Sequence, residues 1–257
     1  MLDKEQKKQY WFVIKELTGR EIKRKYSRSY LGILWSVLNP LLSMAVLSMI
    51  FTQIFRRAIE NFPIYYLTGH IIWLAFTGAT NAAMTTLVDN KMLLIKGKLP
   101  MEVFILTRVY TALVNMGYSV VAYVIMLVVF RVTPKWTMLL FPVIIVLLFL
   151  FSLGIAYILA TAYVFFGDVK HLYSVILTLW MYCSAIFYPI DNLEGFIRVV
   201  IEWNPIFNYI DAARSIVMYG QIPPTWEIVC MILWAACMYV FGYYIFRKHK
   251  NNVMQKV

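Results

Sequence analysis

Charge is what this chain has least of. Only 14% of its 257 residues are Asp, Glu, Lys or Arg, and 61% are hydrophobic; soluble domains run at about 25% charged and about 45–50% apolar. That surplus argues against a water-soluble domain and for a polytopic membrane protein. The three cysteines, Cys183, Cys230 and Cys237, each lie inside an apolar run. Their spacing makes neither a disulfide framework nor a zinc pattern, so they read as small apolar packing residues. The three histidines, His70, His171 and His249, stand apart from one another and from any carboxylate cluster. No Ser-His-Asp order comes with a nucleophile elbow. No phosphate-binding loop is present either: Gly97-Lys98 runs into Leu99 and lacks the upstream glycine. A nucleotide-hydrolysing site within this chain is therefore not expected, and the chain is not read as an enzyme. No cleavable signal peptide is expected, since the first apolar run starts at Leu31 after a long charged segment.

What the chain does have is uncharged runs of membrane length. They predict an all-α fold with six transmembrane helices over 31–55, 61–88, 103–130, 136–167, 171–190 and 228–246. The runs are continuous and too long for the alternating strands of a membrane β-barrel. The fourth is 32 residues long, more than a perpendicular span needs, which suggests tilt or a helix leaving the bilayer. One charge, Arg108, falls inside a run, near the start of the third. Residues 191–227 mix charged and apolar residues, with Asn204-Pro205 dividing them and Gly220 and Pro223-Pro224 closing them. Two short amphipathic helices in or near the interface, or re-entrant, fit this pattern.

An even number of spans places both termini on one side. That side carries 17 Lys and Arg, against six on the other. The positive-inside rule makes it cytoplasmic in a multi-pass cell (plasma or inner) membrane protein. Nearly all of the net +11 then faces the anionic inner leaflet, so membrane lipids account for it and no nucleic-acid partner is needed. The segment 8–28 places Tyr10, Val13, Ile14 and Leu17 on one face. It carries Arg20, Lys23, Arg24, Lys25 and Arg28, and reads as an interfacial helix with a break or bend near Gly19. Lys91, Leu94, Lys96, Lys98, Leu99 and Pro100 belong to a break that is either a short amphipathic helix ended by Pro100, docking a cytoplasmic partner, or a polar turn carrying topogenic lysines.

Two stripes could touch a substrate. Tyr66, His70, Trp73, Thr77 and Asn81 recur at steps of four, three, four and four on the second span. Tyr173, Leu177, Trp180, Ser184 and Phe187 do the same on the fifth, with Tyr188 at its outer end. Aromatic faces with hydroxyl and amide groups suit a wall along which a sugar chain slides. Helix packing plus an interfacial aromatic belt explains the same pattern.

The run Arg20-Glu21-Ile22-Lys23-Arg24-Lys25-Tyr26-Ser27, then Leu31-Gly32-Ile33-Leu34-Trp35 and Pro40, resembles the N-terminal signature of membrane permeases of ABC exporters for polysaccharides and teichoic acids. Lys91 to Phe104 resembles that family's cytoplasmic coupling segment. Phe165-Phe166-Gly167-Asp168 is similar to its Phe-Phe-Arg-Asp element, with Gly167 where arginine is usual. Trp203, Asn204 and Pro205 look like its turn between two extracytoplasmic gate helices. The resemblance covers essentially the whole chain. It implies a homodimer with a channel between the copies and two copies of a separate ATP-binding subunit, which would hold ATP and magnesium; no cofactor is expected on this chain. It also implies an interfacial helix at 8–28, coupling at 91–101, an outer gate at 191–219, and outward movement of a lipid-linked glycan or teichoic acid polymer. A permease of the same architecture for drugs or small lipids is the alternative. A membrane-embedded glycan or lipid enzyme would need Asp191, Glu194, Glu202 and Asp211 to converge.

Overall fold

A computed structural model describes residues 4–27, 29–54, 59, 61–97 and 99–256. Arg28 and Lys98, and the charges Arg56, Arg57 and Glu60 expected to end the first span, lie outside the described residues. The described chain is helical throughout: α1 (Lys4–Tyr26), α2 (Leu34–Ile54), α3 (Phe62–Met84), α4 (Thr86–Asp89), α5 (Lys91–Gly97), α6 (Met101–Val129), α7 (Phe141–Phe165), α8 (Val169–Tyr182), α9 (Gly195–Glu202), α10 (Pro205–Arg214) and α11 (Thr225–Lys256). A 3-10 turn, Trp136–Leu140, leads into α7, and a π-helical turn, Ser215–Tyr219, follows α10. Among the described residues, four segments are long and apolar enough to cross a membrane: Leu34–Phe51, Met101–Val129, Trp136–Phe165 and Thr225–Lys256. At 23 residues α3 has comparable length, and its hydropathy is diluted by the stripe of polar and aromatic residues it carries.

The core is built on α3 and α7. Ile64, Leu67, Ile72, Phe76 and Ala79 of α3 are fully buried, as are Leu148 and Ala156 of α7. α7 crosses α11 at backbone contact. A Cβ on Gly242 would lie 2.0 Å from the Gly154 carbonyl oxygen, and one on Gly154 would lie 2.3 Å from the Met238 carbonyl. Only glycine fits at this crossing, and the close approach lets dispersion hold the helices where lipid supplies no hydrophobic drive.

The second half of α1 and the end of α11 both lie beside the start of α6. Lys250 of α11 pairs with Glu102 at 3.0 Å, and Glu21 of α1 pairs with Arg108. The basic tail is therefore not an appendage, because α11 continues through it to Lys256 and buries Val253. This end is called the terminal side below.

Several elements differ from the sequence pattern. α1 passes unbroken through Gly19, because Thr18 and Glu21 on either side are fastened to α6 and outweigh one glycine's propensity cost. The face containing Ile14 and Leu17 lies on the protein, while Trp11 and Phe12 are left exposed. The uncharged run at 171–190 is helical only to Tyr182. Those 14 residues span about 21 Å, short of a hydrocarbon core of about 30 Å. Residues 183–189 then turn, with Ala185 at φ 47°. The excess length at 136–167 is taken up by the 3-10 turn at one end and a turn at 166–168 at the other. Pro100 does not end α5, which stops at Gly97; it caps the start of α6. Cys183 and Cys237 are exposed on apolar faces rather than packed.

Candidate functional site

A cavity of about 720 Å³ opens in the terminal half between α1, α2, α3 and α6. Its rim carries Arg24, Lys25 and the Glu21–Arg108 pair. Its walls carry Trp35, Ser36 and Asn39 from α2, Thr77 and Asn81 from α3, and Asn115 and Ser119 from α6. Local chemistry explains why polar groups gather here. Pro40 has no N–H, so α2 cannot bond the Ser36 carbonyl from within. Ser119 Oγ supplies that bond from α6, at 3.2 Å. The hydroxyls of Tyr26 and Ser36 share a hydrogen bond, and Tyr26 also donates to Asn115 Oδ1 at 3.1 Å. The turn from α1 into α2 is thus tied to α6 through its own side chains. Thr77 Oγ1 donates to Trp73 O at 2.9 Å. Asn81 is exposed and lines the hollow.

The first stripe therefore divides. Thr77 and Asn81 line the cavity. Tyr66 and Trp73 are buried, and Tyr66 stacks on His70 at 4.9 Å and on Phe187 at 5.8 Å. The second stripe faces protein. Tyr173 donates to Thr80 Oγ1 at 2.7 Å, and Trp180 Nε1 donates to Asn204 Oδ1 at 2.8 Å. Ser184 donates to Trp180 O at 2.7 Å, and Phe187 stacks on Phe51. Tyr188 donates to Tyr182 O at 2.5 Å. The observed setting of Tyr66, Trp73, Tyr173, Trp180 and Ser184 is packing within one chain. The steps of four and three hold a face on one helix, but they do not say which neighbour that face meets.

On the opposite side a hairpin of α9 and α10 folds over the ends of α3 and α8. Trp203 at its turn is exposed, whereas Asn204 is buried and uses both ends of its amide. Its Oδ1 caps α10 by accepting from Ile206 N at 3.0 Å as well as from Trp180. Its Nδ2 donates to Cys183 O at 2.8 Å and Ser184 Oγ at 3.1 Å. Pro205 follows at the first helical position, where its missing N–H costs nothing. Arg214, at the end of α10, is fully buried. It donates to Ala185 O at 3.0 Å, Ile186 O at 3.1 Å and Tyr65 O at 3.4 Å, and lies 3.4 Å from the Tyr65 ring centroid. Burial pushes its guanidinium pKa down, yet a group this basic stays charged. Thr137 and Lys135 hold the π-turn beyond it, donating to Ile216 O at 2.6 Å and Met218 O at 2.7 Å. Sequence pattern counts Arg214 as one outward charge among several. No local signal marks its burial.

On the terminal side, Lys91 and Lys96 of α5 are exposed, Leu94 is buried, and Leu99 and Pro100 are half-buried. Met92 and Ile95 add an exposed apolar pair. Arg20, Lys23, Arg24 and Lys25 are exposed along α1, with a shallow groove beside Lys15, Gly19 and Ser27. Among the described residues no three of His, Cys, Asp and Glu come together as a metal site would require.

A bundle of long apolar helices with a polar hollow in one half and a pinned hairpin over the other is the architecture of an integral membrane transport subunit. Residues 13–218 match the ABC-2 type transporter family model, and the chain belongs to that family. It is 30% identical over 236 residues to the O-antigen export system permease protein RfbA of Myxococcus xanthus, covering 89% of this chain and 91% of that protein. It is 27% identical to the protein of the same name from Klebsiella pneumoniae, over 91% of this chain and 90% of that one. It is 22% identical to the polysialic acid transport protein KpsM of Escherichia coli, over 94% of this chain and 95% of that one. As a type-2 ABC permease, it works with an ATP-binding subunit.

Proposed function

We propose that this chain is the channel-forming permease of an ATP-driven exporter that moves a lipid-linked polysaccharide or teichoic acid polymer from the cytoplasm to the outer side of the cell membrane. The cavity carries this reading. Its amides and hydroxyls at Asn39, Thr77, Asn81, Asn115 and Ser119 offer donors and acceptors to a hydroxyl-rich chain, and Trp35 offers a ring face. A drug or small-lipid permease would present an apolar wall there. The curated relatives are named for O-antigen and polysialic acid, both glycans.

In this reading the terminal side is cytoplasmic. Two copies of the chain pair through α2 and α8. Leu42, Val46 and Met49 of α2 and Leu172, Val175 and Leu179 of α8 leave apolar faces exposed, and the end of α2 meets the turn that follows α8 at the Phe51–Phe187 stack. Two ATP-binding subunits, which hold ATP and magnesium, engage α5 and the Lys98–Pro100 link. α1 lies on the inner leaflet through Trp11, Phe12 and its basic residues. The α9–α10 hairpin gates the exit.

The test is reconstitution of the chain with its ATP-binding partner in liposomes, scoring ATP-dependent movement of a lipid-linked glycan to the far leaflet. Movement that requires both proteins is the expected result. No movement in vitro, together with intact surface polymer in cells lacking the chain, would sink the proposal.

A further inference from the structure

Arg108 is the one charge inside an otherwise apolar run, and its side chain is only 11% exposed. A guanidinium at such depth is costly unless partners surround it. Its three nitrogens meet two other elements. Nη1 pairs with Glu21 of α1 at 2.5 Å, Nη2 with Asp89 of α4 at 3.6 Å, and Nε donates to Thr86 Oγ1 of α4 at 3.3 Å. Asp89 is itself oriented by Thr85 Oγ1 at 2.8 Å. One residue beyond α4, Asn90 leads directly into α5, and its Nδ2 donates back to Thr86 O at 2.8 Å. α1 is also fixed to α6 by Thr111 Oγ1 on Thr18 Oγ1 at 3.3 Å and by the edge contact of Trp11 with Tyr110 at 5.2 Å. At its end, the Tyr26–Ser36 bond passes the connection to α2.

We infer that Arg108 is a positioning residue that locks α1, α4–α5 and the first half of α6 into one rigid transmission unit, so that a push on α5 displaces α1 and the start of α2 beside the cavity. The inference rests on the proposed function, in which the ATP-binding subunit acts on α5. The fork geometry matters: a lysine ammonium is a single point and cannot bridge both elements in this way. Losing Arg108 leaves Glu21 still paired with Arg24 at 3.0 Å, so the fold keeps its partners while the tie between α1 and α4 is cut.

The experiment uses the chain with its ATP-binding partner in liposomes, with Cys183, Cys230 and Cys237 replaced by alanine, and reads glycan moved per ATP hydrolysed. Arg108→Met is expected to hydrolyse ATP within about twofold of the parent while moving about tenfold less glycan per ATP, a size typical of coupling energies. Arg108→Lys should fall with it. Thr18→Cys with Thr111→Cys, at two hydroxyls already in contact between α1 and α6, should form a disulfide that leaves the parent unaffected and restores Glu21→Gln, which loses only the α1 arm, to within about twofold under oxidation. A residue that merely stabilised the fold would not be rescued in coupling by that cross-link. Normal coupling in Arg108→Met or Arg108→Lys, a cross-link that forms without rescue, or a cross-link that stops the parent would each overturn the inference. If Arg108→Met does not assemble, Glu21→Gln removes the α1 arm alone and must lower coupling in the same way; normal coupling there overturns the inference. A parent with no ATP-dependent movement counts against the proposed function, whereas an active parent with an unaffected variant counts against this inference only.

Discussion

On the terminal side, α1, α2 and α6 meet through pairs of side chains: Glu21 with Arg108, Thr18 with Thr111, and Tyr26 with Ser36 and Asn115, around a hollow. On the opposite side, α8, the 183–189 turn and α10 meet through side chains that bond backbone. Arg214 takes three carbonyls and Asn204 takes Cys183 O. The distinction has consequences. A polar wall residue of the hollow such as the exposed Asn81 can exchange water for ligand at small cost. A buried carbonyl has no such exchange, and stripping its donor leaves the full desolvation penalty. The side opposite the termini is therefore held all-or-none, while the hollow on the terminal side can take a guest without breaking the ties around it.

Breaking the side opposite the termini should cost most. Arg214→Met strands the carbonyls of Tyr65, Ala185 and Ile186 and is expected to lower stability by about 3 kcal/mol or more, seen as lost monodisperse protein in mild detergent. An unchanged melting midpoint would mean the turn at Ala185 stands without it. Gly242→Val forces a side chain into the Gly154 backbone that joins both halves, for a loss of about 1–3 kcal/mol measured the same way. Asn204→Ala should cost about 2 kcal/mol. Asn204→Ser should cost less, since its hydroxyl can keep the cap on Ile206 while the donations to Cys183 O and Ser184 are lost. Equal losses for the two would place the weight on the donations instead. Smallest in stability is Thr77→Val with Asn81→Leu in the cavity, within about 0.5 kcal/mol of the parent, while glycan export drops. Export at the parent level would detach the cavity from transport and remove the functional half of the contrast.

Much of this was readable from residue order. The charge-free runs locate α2, α3, α6 and α7 to within about five residues, because membrane length and apolarity are local properties, but α11 runs on from the expected end at 246 to Lys256. Asn204-Pro205 marks the hairpin turn, because a cap followed by proline is a local signal. The run at 171–190 misleads for a physical reason. Pro189 disfavours helix only at the end of the run, whereas the break at 183–185 comes earlier and is tied by Asn204 and Arg214 some twenty to thirty residues later. Likewise the stripe on α3 is one face, but Tyr66 meets Phe187 and Asn81 meets a hollow.

Composition and the order of uncharged runs are enough to commit this chain to a helical membrane domain with its basic residues gathered at one end, because burial of backbone in lipid leaves few other solutions. The placement of its isolated charges is not decided locally. In the sequence Arg108 is the one charge of an apolar run and Arg214 follows Asp211 by three residues, and neither pattern tells what the arginine will meet. One becomes a fork between helices at the edge of a cavity and the other a cation caged by carbonyls, because their partners arrive from distant segments, and low dielectric makes each arginine's partners decisive.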